Sequence, residues 1–442
     1  MPEVIVSSIN DPDVIFAPAS GAGRAAVSIV RVSGAGTSGV LERLCGRVPQ
    51  PRRASLVRLR DPADASEIDQ GLVLWFPGPA SFTGEDMAEL HCHGGRSVLA
   101  AVLRVLGNLP KCRPAEAGEF TRRALLNGRM TLDQVEGLAD LIDAETEAQR
   151  KQALRTLEGE TGQAVRAWRD AIIQAMALME AAIDFSDESD VSDRVIADSR
   201  AVAQSIREQI ESELSKPQRP ERLREGYRVV LAGPPNAGKS TLLNALARRE
   251  AAIVSPIAGT TRDVIEVHLD LGGLPVILID TAGLRDSEDV IEQEGIRRTR
   301  ASIADADLVL WLQPPGGEPP SCVDGRMIVV GTKADLGGVA GDLALSAQTG
   351  AGINQLLALL QHRAADAVGS GSGHIITRER HRASLIETRD CLDRALAGDA
   401  EAFTELVAED LRLAARALGR ITGEVGIEDV LDRLFAGFCI GK

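Results

Sequence analysis

The sequence predicts a multidomain α/β + α chain. It would contain an N-terminal α+β domain, a discontinuous helical bundle, and an α/β domain inserted between the two parts of the bundle. Three observations predict it. Short apolar stretches alternate with Gly/Pro turns up to about residue 126, and apolar residues then recur every three or four positions. A strand, a glycine-rich loop and a helix follow one another near residue 235.

Length and composition restrict the class of protein. The 442 residues leave room for several domains, and the net charge of −15 argues against a basic surface for duplex nucleic acid. That charge does not exclude a local Arg/Lys patch for a folded RNA. The six cysteines form no Cys-x-x-Cys pair, no basic and apolar leader opens the chain, and no run of about 18 apolar residues occurs. We therefore expect a cytoplasmic protein without a membrane span, a disulfide framework or a zinc site.

The first domain is predicted over residues 1–126, with strands at 26–30 and 72–76 and an amphipathic helix at 98–106. The helical bundle is predicted from residues 127–217 and 374–442, because neither segment alone has enough apolar positions for a stable core. Pro217, Pro220 and the Gly/Ser run 369–373 predict flexible joints around the inserted domain, residues 218–373. We interpret the acidic stretch 184–193 as a solvated loop; a metal site is the weaker alternative, because a calcium-loop glycine pattern is missing.

A phosphate-binding loop is predicted at residues 233–240, Gly-Pro-Pro-Asn-Ala-Gly-Lys-Ser. The glycines let backbone N–H groups surround a polyphosphate, Lys239 adds a charge beside the β- and γ-phosphates, and the Ser240 hydroxyl can bind Mg²⁺. The apolar strand 229–232 enters the loop, and the helical run 241–247 leaves it with its N-terminus toward the phosphates. A turn that binds nothing is the weaker interpretation.

Two further motifs are typical of a Ras-like switch GTPase. Thr261, in Gly-Thr-Thr-Arg-Asp (259–263), can complete the Mg²⁺ shell, and Asp280 can hold the same ion, directly or through water. Gly283 can donate its N–H to the γ-phosphate. Leu284 stands where many regulatory GTPases have a glutamine that orients the attacking water, so another group must do so. Candidates that could equally be solvated surface are Glu288, Asp289, Glu292 and Glu294.

Guanine recognition is predicted at Thr332-Lys-Ala-Asp335. Asp335 can accept two hydrogen bonds from the guanine N1–H and N2–H₂ edge, and Ser346-Ala347 would give a backbone N–H to guanine O6. Because Thr332 replaces the usual Asn, we expect retained guanine specificity with somewhat weaker binding. The full set of predicted nucleotide contacts is Asn236, Ala237, Gly238, Lys239, Ser240, Thr241, Ser255, Pro256, Ile257, Ala258, Gly259, Thr260, Thr261, Asp280, Thr281, Ala282, Gly283, Thr332, Lys333, Ala334, Asp335, Ser346 and Ala347.

The sequence resembles the bacterial and organellar family of tRNA-modifying GTPases called MnmE or TrmE, over essentially its full length. The resemblance rests on the nucleotide motifs and on five segments outside them. These are Phe-Thr-Gly-Glu-Asp (82–86), Glu-Leu-His-Cys-His-Gly-Gly (89–95), Arg-Pro (113–114) with Gly-Glu-Phe (118–120), Ala-Asp-Leu-Ile-Asp-Ala (139–144) and the ending Phe-Cys-Ile-Gly-Lys (438–442). A shared GTPase domain alone would not produce the flanking matches.

The resemblance implies that the N-terminal domain binds folate and forms a homodimer. With an FAD- and NADH-using partner, MnmG (GidA), such proteins add an aminomethyl or carboxymethylaminomethyl group to C5 of the wobble uridine in tRNA. The one-carbon unit comes from a methylene-tetrahydrofolate. The resemblance also implies a K⁺ ion that acts near the phosphates as an arginine finger would. Its ligands would be Asn236, Ser255, Ile257 and Thr260, and the catalytic residues would be Glu292, which orients the water, Lys239 and Thr261.

The resemblance assigns folate contacts to Arg31, Glu89, Arg129 and Lys442, and Arg129 stands where a lysine is common. From the residues alone, these charges are ordinary surface ion pairs. Cys439 is either a thiol that adds to uridine C6 or a small packed residue, and the packed interpretation is favoured. His91 and His93 have no further ligand cluster, so a structural or folate-pocket role is favoured over zinc.

Two other interpretations are compatible with the nucleotide motifs. A stand-alone switch GTPase in ribosome assembly would need neither the first 120 or so residues nor the Cys-Ile-Gly-Lys ending. A scaffold with a degenerate GTPase is disfavoured by the intact residues Lys239, Ser240, Thr261 and Asp280.

Overall fold

The computed structural model describes residues 13–21, 23–184, 189–216, 219–249, 251–253, 265–280, 305–320, 325–368, 375–398, 404–425, 434–435, 438 and 441. The chain divides into two compact units. The first consists of Met1–Ala139, Thr156–Ile206 and Glu387–Lys442, and the second of Asp140–Arg155 and Arg207–Ile386. The domain boundaries at residues 126, 217 and 373 stay a prediction.

The first unit begins with a six-stranded sheet. Its strands are β1 (Val14–Pro18), β2 (Val27–Ser33), β3 (Ser55–Arg60), β4 (Glu67–Phe76), β5 (Met87–His93) and β6 (Cys112–Pro114). They lie in the order β3-β4-β5-β2-β1-β6, with the β1–β6 pair parallel and the other pairs antiparallel. The predicted strands at 26–30 and 72–76 correspond to β2 and β4.

Helices α1 (Thr37–Cys45) and α2 (Arg96–Gly107) pack on one face of this sheet, and α2 covers the helix predicted at 98–106. Buried residues alternate along the strands, because successive side chains point to opposite faces. The core under the helices includes Val30, Val32, Leu41, Leu90 and Leu106. On the opposite face, Phe120 of α3 (Glu119–Leu126) packs with Ile15, Ala17 and Phe82.

Four helices follow: α4 (Leu132–Asp143), α5 (Glu147–Leu157), α6 (Glu160–Asp184) and α7 (Ser189–Leu214). As the helical spacing predicts, Ile172, Met179 and Ile210 are fully buried. The predicted loop 184–193 is wrong in its extent, because α7 already begins at Ser189. Acidic residues are favoured in a first helical turn by the positive end of the helix dipole, so an acidic run can start a helix.

The second unit contains α8 (Arg219–Glu225) and a six-stranded sheet with two further helices. These elements are β7 (Tyr227–Ala232), α9 (Lys239–Ala247), β8 (Ile265–Asp270), β9 (Pro275–Asp280), β10 (Leu308–Gln313), β11 (Met327–Gly331), β12 (Leu343–Ala344) and α10 (Ile353–Val368). The strand order is β12-β11-β10-β7-β9-β8, with the β8–β9 pair antiparallel and the other pairs parallel. The carboxyl ends of parallel strands meet at one edge of the sheet, where the loops after β7, β9, β11 and β12 gather.

Two long helices follow near the C-terminus, α11 (Glu379–Ala397) and α12 (Thr404–Thr422). Within the first unit, α12 packs along α6, and its buried Leu411, Ala414 and Leu418 recur at helical spacing. No helix in the described ranges is long and apolar enough to cross a bilayer.

Candidate functional site

The phosphate-binding loop predicted at residues 233–240 connects β7 to α9. Gly233 has a φ of +140°, and a Cβ there would lie 2.5 Å from the carbonyl oxygen of Leu312. Asn236 and Gly238 follow with φ values of +63° and +97°. A backbone of this kind turns successive N–H groups to the same side, which is the arrangement that binds phosphate.

Lys239 is the first residue of α9. Its Nζ donates to the carbonyl oxygens of Gly233 at 2.8 Å and Pro234 at 3.1 Å. The ammonium group therefore lies against the loop, beside the N-terminus of a helix. A bound polyphosphate would meet both positive groups there.

Ser240 and Asp280 face each other at the end of the sheet. Ser240 Oγ donates to Asp280 Oδ2 at 2.8 Å, and Asp280, the last residue of β9, is 1% exposed. Oxygen ligands of this type are the ones that Mg²⁺ prefers. The two residues therefore fit a magnesium site next to the phosphate-binding loop.

Thr332 contacts the phosphate-binding loop directly. Its side chain is buried, and Oγ1 donates to the carbonyl oxygen of Ala237 at 2.7 Å. The Thr332 side chain is shorter than the usual asparagine. Its hydroxyl nevertheless links residues 332–335, the predicted base-recognition turn, to the phosphate-binding loop. Sequence reasoning missed this contact because the two residues are 95 positions apart.

The base-recognition turn follows β11. Asp335 lies exposed in a single 3₁₀ turn, Ala334–Leu336, and Lys333 before it has a φ of +56°. The Ala334 N–H donates to the Leu345 carbonyl oxygen at 3.1 Å. This bond holds the two predicted guanine-contact segments, 332–335 and 346–347, side by side.

Part of the predicted nucleotide site lies outside the described residues. Thr241 is in the first turn of α9, and Ser346 and Ala347 follow β12. The predicted residues outside the description are Ser255, Pro256, Ile257, Ala258, Gly259, Thr260, Thr261, Thr281, Ala282, Gly283, Leu284 and Glu292.

A second candidate site, the Arg31 pocket, lies on the first sheet. Arg31 and Glu89 are register partners on β2 and β5, and Arg31 Nη2 donates to Glu89 Oε1 at 3.1 Å. The guanidinium lies 5.3 Å from the ring centre of Phe82 and 5.8 Å from that of Phe120. Its Nε is buried and meets no hydrogen-bond acceptor in the described part of the chain. Because an unsatisfied buried donor is costly, this atom is suited to bind an acceptor on a ligand.

Buried ion pairs hold the segments that form the Arg31 pocket. Glu119, 8% exposed, binds Arg113 at 2.7 Å and Arg123 at 3.0 Å, and Arg123 binds Glu85 at 3.1 Å. Burial alone would raise the pKa of Glu119, but hydrogen bonds from the two arginines and a backbone N–H hold that pKa below its ordinary value. The network joins the loop before β5 to α3, the two segments that supply the aromatic rings.

The two histidines of β5 contact different carboxylates. His91 Nε2 lies 3.3 Å from Glu89 Oε2, whereas His93 Nδ1 lies 2.8 Å from Asp69 Oδ1. His91 therefore borders the Arg31 pocket, and His93 belongs to the contact between β4 and β5.

Of the other two predicted folate contacts, Arg129 and Lys442, the structure describes only Arg129. Arg129 is exposed, and its side chain packs beside Gly84, in the loop that carries the Phe82 ring. Lys442 and Cys439 lie outside the described residues.

The C-terminal segment reaches the first sheet. Gly441 has a φ of +108° and packs so closely against the carbonyl oxygen of Pro18, at the end of β1, that a Cβ would clash. Phe435 and Phe438 lie 5.4 Å apart between ring centres and pack beside Gly118, just before α3. The chain end is thus held against β1 and α3, both of which border the Arg31 pocket.

A P-loop GTPase domain within a longer chain is defined by the mostly parallel sheet, the phosphate-binding loop, the Ser240–Asp280 pair and the Thr332–Asp335 turn. Two family models match the chain: "GTP-binding protein TrmE N-terminus" over residues 14–129, and "MnmE helical domain" over residues 132–439, a range that contains the GTPase domain. The chain is 59% identical over 438 residues to the tRNA modification GTPase MnmE of Methylobacterium sp. (strain 4-46), which covers 97% of this chain and 100% of that relative. It is also 59% identical to that of Methylorubrum populi, over 97% of this chain and 98% of the relative. The chain therefore belongs to the MnmE family of tRNA modification GTPases.

Among solved structures, the G domain of the FeoB iron transporter of T. maritima is similar at 22% identity, with a TM-score of 0.22. The match covers 32% of this chain and 98% of that one. The family assignment rests on the full-length relatives.

Proposed function

We propose that this protein is a potassium-stimulated GTPase that acts with an FAD-dependent partner of the MnmG (GidA) type. Together they would install an aminomethyl or carboxymethylaminomethyl group at C5 of the wobble uridine of certain tRNAs, using a methylene-tetrahydrofolate one-carbon unit. One observation carries the proposal: a single chain combines the nucleotide site with the Arg31 pocket, and its relatives of the same length are tRNA modification GTPases.

In the nucleotide site, the loop backbone and Lys239 would bind the phosphates, and Asp335 would bind the guanine edge. Ser240, Thr261 and Asp280 would hold Mg²⁺, which neutralises phosphate charge. The 2.8 Å separation of the Ser240 and Asp280 oxygens supports this role, because both atoms can approach one ion.

Hydrolysis needs a group that replaces the missing glutamine, because Leu284 cannot orient water. We assign that role to Glu292, and we assign the K⁺ ligands to Asn236, Ser255, Ile257 and Thr260. The K⁺ assignment of Asn236 is supported by its positive φ, because that backbone conformation keeps the residue within the phosphate-binding loop. Phosphate release should fall strongly when NaCl replaces KCl. Glu292→Ala should retain nucleotide while losing turnover, and a wild-type rate in this variant would refute the role.

In the Arg31 pocket, the residues that would contact a tetrahydrofolate are Arg31, Glu89, Arg129 and Lys442. The buried Arg31 Nε without an acceptor supports this, as do the two aromatic rings, which can pack on a flat heterocycle. The close packing of Gly441 against the carbonyl oxygen of Pro18 on β1 supports a role for the Cys-Ile-Gly-Lys segment at this pocket, with Cys439 as a candidate modification thiol. Titration with a tetrahydrofolate tests the pocket, and equal binding by wild type and Arg31→Gln would contradict it.

Exposed apolar residues on the first sheet support the homodimer. Leu56, Leu72 and Val27 are 61%, 42% and 52% exposed. Leu56 pairs with Leu72 across β3 and β4, and Leu72 pairs with His91, so these side chains share the sheet face of the Arg31 pocket. Exposed apolar residues gathered on one sheet face are typical of interaction surfaces. Sedimentation of the purified chain tests the dimer, and a monomer at micromolar concentration would count against it.

The central experiment is mass spectrometry of wobble uridines in tRNA from cells without this protein. We expect the modified nucleosides to disappear and to return with the wild-type gene but not with Glu292→Ala. Unchanged modification would contradict the proposal and favour a stand-alone switch GTPase in ribosome assembly. Fractionation of the complemented cells tests the cytoplasmic location that we propose.

A further inference from the structure

An arginine-rich stretch stands out from this acidic chain. Residues 43–60 contain six arginines and no aspartate or glutamate, in a protein of net charge −15. Neither the nucleotide site nor the Arg31 pocket uses any of them. Such a concentration of one charge calls for a physical reason.

Four of these arginines line one cleft of about 460 Å³, which we call the arginine cleft. Arg43 and Arg47 come from α1 and the turn after it, and Arg58 and Arg60 come from β3, an edge strand of the first sheet. All four side chains are exposed. Two separate elements thus bring positive charge to the same concave surface.

Within the described part of the chain, carboxylates neutralise little of this charge. The side chains of Arg43, Arg47 and Arg60 form no hydrogen bond or ion pair there. Arg58 lies 3.7 Å from Glu67, but both side chains are largely exposed, where an ion pair contributes little. Asp61, the acidic residue of the lining, binds Arg104 at 3.3 Å instead.

Other arginines of the same unit are paired with carboxylates, unlike those of the cleft. Arg31, Arg113 and Arg123 each bind a carboxylate within 3.1 Å and are at least partly buried, so they stabilise the fold. Folding gives no such reason to collect arginines in the cleft, because like charges repel. A negatively charged ligand would supply the missing reason.

We propose that the arginine cleft binds the sugar–phosphate backbone of the tRNA. A guanidinium fork matches the oxygen atoms of a phosphate group, and arginines from two elements suit successive phosphates of a strand better than one small anion. Since the net charge of the chain repels RNA, a local basic cleft is needed to hold it. The inference rests on the tRNA substrate proposed above, and it adds where that RNA is held.

The test is tRNA binding by the full-length chain that carries Arg47→Gln and Arg60→Gln together. Fluorescence anisotropy with an unmodified tRNA transcript would be recorded from about 50 to 200 mM KCl. We expect binding about tenfold weaker near 100 mM, and a plot of log K against log salt flatter by about one to two units. The matched control is Arg24→Gln with Arg96→Gln, which removes the same charge from exposed positions of the same unit outside the cleft.

Two further measurements accompany the binding titration. The cleft variant should melt within about 2 °C of the wild type, because both substitutions are on the surface. Arg47→Lys with Arg60→Lys should keep the salt dependence but bind with intermediate affinity, since charge is retained and the fork is lost. Wild-type affinity in the cleft variant, or equal losses in cleft variant and control, would overturn the inference while leaving the proposed function intact. If the wild-type protein binds no tRNA, both the arginine-cleft inference and the proposed function are overturned.

Discussion

The nucleotide site and the Arg31 pocket are assembled in opposite ways. In the nucleotide site, one loop supplies most of the geometry through the backbone of Gly233, Asn236 and Gly238. The Arg31 pocket collects side chains from separate strands and from α3, and buried ion pairs hold those segments together. The first site therefore depends on backbone conformation and the second on charge pairing, so each should fail under a different kind of substitution.

The largest effect is expected for Gly233→Ala. The methyl group would lie 2.5 Å from a backbone carbonyl oxygen at a φ that other residues rarely adopt, so the loop must move. We expect affinity for GDP to fall by about 100-fold or more, measured by titration with a fluorescent guanine nucleotide. Gly325→Ala is the matched control, because a Cβ at Gly325 meets no atom within 4 Å. Similar affinities in the two variants would show that the backbone of the loop is not limiting.

Glu119→Gln should break the Arg31 pocket and spare the nucleotide site. The substitution removes the carboxylate that accepts hydrogen bonds from two arginines, which costs about 1.5–3 kcal/mol. Hydrogen exchange of peptides from β2 and β5 should become faster, and the tetrahydrofolate binding that we propose for this pocket should weaken. Nucleotide affinity should stay unchanged, because the two sheets have separate cores. The control is Glu42→Gln, which changes an exposed acidic residue of the same unit. A loss of nucleotide affinity in Glu119→Gln would contradict the idea that the two sites depend on different interactions.

Thr332→Val tests whether a side chain also matters in the backbone-dominated site. It keeps the shape of threonine but leaves the Ala237 carbonyl oxygen without its donor, a loss of about 1–3 kcal/mol. We expect GTP and GDP to bind about tenfold more weakly, with GTP still preferred over ATP because Asp335 is intact. Thr332→Ser keeps the hydroxyl and should bind almost normally. A competition titration that finds wild-type affinity for Thr332→Val would show that the bond contributes nothing to binding.

The nucleotide site and the Arg31 pocket also differ in how well the sequence predicts them. The phosphate-binding loop is local, so its residues, spacing and flanking elements predict it completely. The Thr332–Ala237 bond joins residues 95 positions apart, and neither residue type indicates it. Arg31 and Glu89 meet only through the register of β2 and β5, and a shift of one residue would turn them to opposite faces. The Arg31 pocket could therefore be predicted only from the family resemblance.

The prediction of a loop over residues 184–193 was wrong because acidic residues are favoured at the start of a helix as well as in a loop.

The smallest effect is expected at His268, a charge-paired contact in the unit that contains the nucleotide loop. His268 Nδ1 lies 2.7 Å from Glu145 Oε2, and Nε2 lies 3.8 Å from Glu266 Oε2. The carboxylate of Glu266, and after it that of Glu145, raises the pKa of His268 from 6.5 to about 9. Since the Ala148 N–H donates to the Gly273 carbonyl oxygen nearby, the contact joins the segment around the start of α5 to the β8–β9 hairpin.

Stability at this contact should fall as the pH rises. Below pH 6.5 the folded and unfolded chains both carry the proton, and the full contribution is present. Between pH 6.5 and about 9 only the folded chain keeps it, so the free energy of unfolding decreases until the contribution is lost. His268 is 33% exposed, and solvent screening makes the effect smaller than those above. Hydrogen exchange of the peptide 265–270, corrected for intrinsic rates, should lose protection over this range in the wild type and less steeply in His268→Gln. Parallel declines in the two proteins would assign the pH dependence to another titratable group of this unit.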